Sequence, residues 1–240
     1  MKRFYSSVTV EHLADGHAIR LDGRAVKTPA RAELVLPRPS LAAAVAAEWE
    51  AQGDDVDPRT MPLTGLANAA IDRVSADREG FAGGVAEYAA TDLLCYRADH
   101  PNMLVGHQAE HWDPLIDWAE QRYDVGFEIV QGIMHRPQPP ETVARLTAAV
   151  FSYDAWRLAA LQPLVTISGS LIIALAVAEG EIDVDSAFAA GQLDELWQAE
   201  QWGEDDLATR ARENRQADFR AAARFLALLV ESDLPSGGIT

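Results

Sequence analysis

Two imidazoles and a carboxylate stand together in His107-Gln108-Ala109-Glu110-His111. The pattern is that of an inverted zinc-peptidase signature, His-x-x-Glu-His. On a helix, histidines four apart share a face and could grip one Zn²⁺, with Glu110 as general base. A third ligand is still required, and the many downstream carboxylates single out none. Pro114, three residues beyond His111, threatens the helix that this geometry needs. The plainer alternative is a pair of polar residues on a solvated helix face. The lone cysteine, Cys95, follows Leu93-Leu94 with no basic setting and no partner histidine indicated. It reads as a small buried hydrophobe rather than a nucleophile. Asp92 and Arg97 beside it could pair structurally.

Other chemistry is missing. The chain contains no Walker-type phosphate loop, no Gly-x-Gly-x-x-Gly after a strand and no Gly-x-Ser-x-Gly. Ser168-Gly169-Ser170 lacks the elbow glycines, and its small residues inside an apolar run suggest close helix packing. These absences argue against nucleotide-binding and hydrolase folds, and no cofactor, nucleotide or metal is expected.

The most suggestive stretch is acidic and aromatic. From Gly180 to Asp206 there are nine acidic residues and no basic one. Trp197 and Trp202 lie inside it, in Asp194-Glu195-Leu196-Trp197-Gln198 and Gln201-Trp202-Gly203. A charge run is often only a solvated face. Large aromatics interleaved with carboxylates are also what a protein-binding surface uses, and the acids would select a partner with a positive face.

These residues need elements to hold them. The chain of 240 residues carries 20 Lys+Arg against 37 Asp+Glu, a net charge of −17. That balance disfavours nucleic acid and anionic membranes as partners. The longest apolar stretch, Leu164 to Ala178, falls short of the ~20 residues of a membrane span and reads as one buried helix. One cysteine fits a reducing compartment. No secretory signal or transit peptide is recognised at Met1-Lys2-Arg3-Phe4, so a cytoplasmic location is expected.

Periodicity divides the chain. Phe4, Ser6, Val8 and Val10 alternate, Asp15-Gly16 and Asp22-Gly23 are hairpin turns, and short strands are expected at 25–28 and 33–36. Ser40 is the expected cap of a helix running to Gln52. Helical patterns then cover 64–74, 77–94, 102–122, 139–161, 163–178, 183–201 and 203–231. In the last, Glu204, Asp205 and Asp206 stand at the positive end, and Phe219, Ala222, Leu226 and Leu229 form the buried stripe. The expected fold is α+β. A small β-rich domain over 1–62, an antiparallel meander plus a helix, precedes a larger all-α domain over 63–234, with a flexible tail over 235–240.

An ordered set of short motifs adds a resemblance. Phe4-Tyr5 is followed by Leu21-Asp22-Gly23-Arg24, Lys27-Thr28-Pro29 and Leu34 to Pro37. Glu48-Trp49-Glu50-Ala51-Gln52 and Met61-Pro62-Leu63-Thr64 come next. Thr91-Asp92, Gln108 with Trp112-Asp113-Pro114-Leu115, Ser168-Gly169-Ser170-Leu171, and Glu195-Leu196-Trp197-Gln198 to Trp202-Gly203 complete the set. In this order the chain resembles the ATP synthase F(1) assembly chaperone family that binds the alpha subunit, called assembly factor 2 in mitochondria. The resemblance implies a bacterial member with no enzymatic activity, a β-rich N-terminal domain and a helical C-terminal one. The implied partner is the free alpha subunit, whose beta-facing surface the chaperone would shield until beta replaces it. It also implies that Glu195 matches a key acidic residue of the family. Asp194, Trp197, Gln198 and Trp202 are added as partner-binding residues on chemical grounds. The competing expectations are a zinc metallopeptidase and an acidic interaction module for some other partner.

Overall fold

Alternating residues place a hairpin first: β1 (Val8–Leu13) and β2 (Gly16–Leu21) are antiparallel, with Val8 opposite Leu21. At the next turn Asp22 and Gly23 both take positive φ, 47° and 77°. Two such residues in succession match the right-handed twist of the flanking strands. β3 (Arg24–Ala25) pairs with one end of β2 and β4 (Val35–Leu36) with the other, so β2 is central. Its Ala18, Ile19 and Leu21 are buried. The alternation at Phe4 and Ser6 does not extend the ladder, and Phe4 is 64% exposed.

The structure, a computed structural model, describes residues 1–132, 134, 136–203 and 205–230. The tail expected over 235–240, Glu204 and the last residue of the 203–231 helix lie outside these. Contacts divide the chain into two units. One holds Met1–Arg78, Ala155–Ala160 and the described part of Arg224–Thr240; the other holds Glu79–Asp154 and Leu161–Ala223.

In the first unit α1 (Pro39–Glu50) lays Leu41, Ala42 and Val45 on the sheet. Proline at the first helical position starts it, since that N–H would be unpaired anyway. Ser40 is not the expected cap: it lies inside the helix, and its hydroxyl donates to the Leu228 carbonyl at 2.7 Å. α2 (Pro62–Ala69) ends in a wider turn over Ala70–Val74. The Glu48 carboxylate caps α2 by accepting from the N–H groups of Leu63 and Thr64, each at 2.8 Å. Two of the short motifs thus meet in one helix cap.

The second unit is mostly helix. It contains most of α3 (Arg78–Ala86), α4 (Asn102–Tyr123), α5 (Pro140–Phe151), α7 (Leu171–Glu179), α8 (Val184–Gly191) and α9 (Leu193–Trp202). α6 (Ala155–Ser168) and α10 (Asp206–Val230) each supply residues to both units. A two-residue parallel pair, β5 (Tyr96–Arg97) with β6 (Val130–Gln131), completes it.

Several expected helices are broken or shifted. The 139–161 helix is interrupted at Ser152-Tyr153-Asp154. Pro163 lies within α6 and starts nothing. The apolar run is not one helix, because Gly169 takes φ 72° and Ser170 caps α7 by accepting from Ile173 N–H at 3.0 Å. The small residues therefore make a turn, after which Leu171 to Ala176 are all buried. Close packing occurs there as well, between Ser168 and Gly191 of α8, where an added Cβ would stand 2.8 Å from Ser168 Cβ. The 183–201 helix divides at Gln192, whose amide donates to the Ile167 carbonyl at 3.0 Å. Pro114 leaves α4 unbroken, so His107 and His111 do share a continuous helix. No helix among the described residues is long and apolar enough to cross a membrane.

Candidate partner-binding site

Asp194 and Glu195 occupy the first turn of α9, where the helix dipole favours negative charge. Neighbours on a helix point about 100° apart, so the two carboxylates serve different elements. Asp194 Oδ1 accepts from Gln108 Nε2 at 2.8 Å, and Gln108 Oε1 accepts from Ala98 N–H at 2.8 Å. Gln108 is buried and has both ends of its amide satisfied. Four residues further along α4, the buried Trp112 indole donates to the Ala190 carbonyl of α8 at 2.9 Å. Glu195 turns to α10. Its Oε2 accepts from Arg215 Nη2 at 2.6 Å, and its Oε1 lies 3.8 Å from Arg212 Nη1. Arg215 Nη2 also donates to Gln192 Oε1 at 2.9 Å. One arginine thus holds the residue that starts α9 and the carboxylate one turn on.

The outer part of α9 is different. Gln198 and Trp202 are exposed, Trp202 by 76%, and Trp202 stands edge-on to the half-buried Trp197 with ring centroids 6.1 Å apart. A cavity of about 210 Å³ opens against this helix, lined by His107 and His111 of α4, Ala189 of α8, and Leu193, Leu196, Trp197 and Glu200 of α9. The five expected site residues therefore do not share one surface. Asp194 and Glu195 are tied to flanking helices, Trp197 is a cavity wall, and Gln198 and Trp202 face outward.

The His-x-x-Glu-His residues take part only as cavity rim. His111 Nδ1 donates to the His107 carbonyl at 2.9 Å, one turn back on its own helix. Among the described residues no group of three or more His, Cys, Asp or Glu side chains is placed to hold a metal ion. Cys95 is buried, and burial pushes its thiol up. The suggested Asp92–Arg97 pair gives way to other partners. Asp92, fully buried, accepts from Leu94 N–H at 3.0 Å and from Ile172 N–H at 2.9 Å, at the start of α7. Burial pushes its carboxyl up to about 6, against the pull of those hydrogen bonds. Arg97 instead pairs with Asp113 at 2.7 Å and lies over the Trp112 ring, 5.2 Å from its centroid.

The residues that sequence reasoning did not assign are Gln108, Arg212 and Arg215. Gln108 carried a signal, since it stands one helical turn before Trp112 on a buried stripe, where an unpaired amide would be costly. The arginines carried none beyond their place in α10.

By its fold the chain is an α+β protein in which a small antiparallel meander accompanies a larger helical part. Residues 2–120 match the family described as ATP12 chaperone protein. The crystal structure of Atp12 from Paracoccus denitrificans is 44% identical and superposes with a TM-score of 0.91, over 95% of this chain and 97% of that one. A crystal structure from Agrobacterium tumefaciens matches at 42% identity with the same TM-score, over 95% of this chain and 86% of that one. The mitochondrial protein atp12 of Schizosaccharomyces pombe is 27% identical over 215 residues, 84% of this chain and 74% of the relative. The chain belongs to the ATP12 chaperone family, whose members are chaperones of ATP synthase assembly and not enzymes.

Proposed function

We propose that this chain holds the free alpha subunit of the F(1) sector of ATP synthase and shields its beta-facing surface until beta takes its place. The observation that supports this most directly is the outer part of α9. It leaves Trp202 and Gln198 in solvent beside Glu200, in a chain of net charge −17. A free alpha subunit exposes an apolar interface, which invites self-association. A chaperone covering it must bind more weakly than beta does, and such an exchange needs no nucleotide. Trp197, Gln198 and Trp202 would make the contact. Asp194 and Glu195 would act by holding α9 in place. In a bacterial cell the exchange would take place in the cytoplasm.

The test mixes the purified chain with its cognate alpha subunit and follows light scattering behind a sizing column, without ATP. A one-to-one complex that is lost on adding beta, with an alpha–beta species appearing, is the expected result. Alpha that aggregates as before, with no complex, refutes the proposal.

A further inference from the structure

The cavity against α9 has walls and a rim of different character. Leu193, Leu196, Trp197 and Ala189 supply apolar surface, His107 and His111 stand exposed on the α4 side, and Glu200 stands exposed on the α9 side and makes no ion pair among the described residues. Its volume of about 210 Å³ exceeds the ~150 Å³ of an apolar cavity that takes up benzene. One phenyl or isobutyl group therefore fits. The exposed Trp202 stands edge-on to the Trp197 wall. Leu207, just inside α10, is 73% exposed.

The charge around the cavity selects what can enter. No lysine or arginine lies between Gly180 and Asp206, and nine acids do. Most of the acids closer to the start of that stretch are already engaged. Asp183 caps α8, Asp185 pairs with Arg220 at 2.8 Å, and Asp194 and Glu195 are tied as described. Glu200, Asp206 and the capping Asp205 are exposed, and of these Glu200 lines the cavity. An apolar side chain arriving on an acidic segment would bring that segment against Glu200 and the acid-rich stretch around it and be repelled. One arriving between basic residues would gain from that charge.

We infer that the α4–α8–α9 cavity is a docking socket for a single aromatic or leucine side chain carried on a Lys/Arg-flanked segment of the partner protein. This inference rests on the chaperone reading for the partner's identity, but the socket itself can be tested apart from it. The depth comes from apolar burial and the selection from the acidic rim, so the two can be removed separately. Ala189 is exposed at the mouth, so Ala189→Leu fills the socket without entering the core. Glu200→Lys reverses the rim.

The probe is an acetylated, amidated peptide with one Phe between two pairs of lysines, otherwise Gly and Ala, followed by tryptophan fluorescence. A control peptide replaces the Phe by Gly, and a second control replaces the lysines by glutamates. The expected result is saturable binding of the first peptide only, weakened at least tenfold by Ala189→Leu and by Glu200→Lys, with unchanged circular dichroism. The alpha subunit should lose affinity for the same two variants. Equal peptide signals with and without Phe, or full binding to Ala189→Leu, overturn the socket. If the peptide binds as expected but alpha does not bind the unaltered chain, the socket stands and the alpha-subunit proposal falls. If alpha binds Ala189→Leu as tightly as the unaltered chain, the proposal stands and the socket falls.

Discussion

Glu195 separates two ways in which a carboxylate can matter to a partner. It could touch the partner, or it could hold the helix that does. The structure favours the second, because Arg215 donates to it at 2.6 Å and Arg212 stands 3.8 Å away. A unit pair about 4 Å apart is worth ~1 kcal/mol in water and ~4 at an effective dielectric near 20. The Glu195 side chain is 43% exposed and that of Arg215 35%, so after screening and ordering the net is about 1 kcal/mol. Glu195→Gln keeps shape and one hydrogen bond. It should lower Tm by about 2–4 °C and leave alpha affinity within about threefold, because a helix docked by several kcal/mol stays docked. Glu195→Lys adds a third cation beside two arginines, costing about 3 kcal/mol in all, and should lower alpha affinity about tenfold or more. The swap Glu195→Arg with Arg215→Glu restores the pairing and should recover part of that loss. Calorimetry of unfolding and titration with alpha measure both quantities. Refutation would be Glu195→Gln with an unchanged Tm and a more than tenfold loss of alpha affinity, since the charge itself would then be touching the partner.

Two further outcomes follow from the core. The folded-state value of Asp92, about 6, lies above its ordinary 3.8, so its contribution to stability is full below about pH 4 and lost as pH rises through 6. Asp92→Asn should remove up to about 3 kcal/mol of the difference in unfolding free energy between pH 4 and 7; equal slopes in both proteins would contradict this. Gly191→Ala places a Cβ 2.8 Å from Ser168 Cβ and 2.9 Å from its Cα. That overpacking should cost roughly 1–3 kcal/mol and lower Tm by about 4–10 °C, and a melting curve within a degree of the unaltered chain would show that the two helices part freely.

The sequence made some elements plain and hid others for physical reasons. Asp15-Gly16 and Asp22-Gly23 mark turns because few other residues accept the required φ, and the meander follows from them. The lengths of the helical segments were readable, but their breaks were not. Ser168-Gly169-Ser170 sits inside an apolar run, where small residues serve equally well as a packing seam or as a cap, and only the fold selects the cap. Ser40 has the chemistry of an N-cap, yet Pro39 beside it fixes φ for the first helical position. At the site, Trp202 is as exposed as its polar context suggests. Asp194 and Glu195 looked like free acids because their partners are remote in sequence, 86 residues away for Gln108 and 20 for Arg215. A carboxylate's partner cannot be read locally when it arrives from another helix.

Among the described residues, the polar tethers of α9 sit at its beginning. Gln192, Asp194 and Glu195 are bonded to α6, α4 and α10, while the residues from Gln198 to Trp202 make few contacts that hold them. The helix is therefore clamped by side chains at its root, while its far end is held mainly through the chain that leads on into α10. Displacement grows with distance from such a clamp, and amide protons should exchange progressively faster from Leu196 toward Trp202. A partner that first meets the tip meets a compliant surface, one that can adjust to it while the clamp at the root holds.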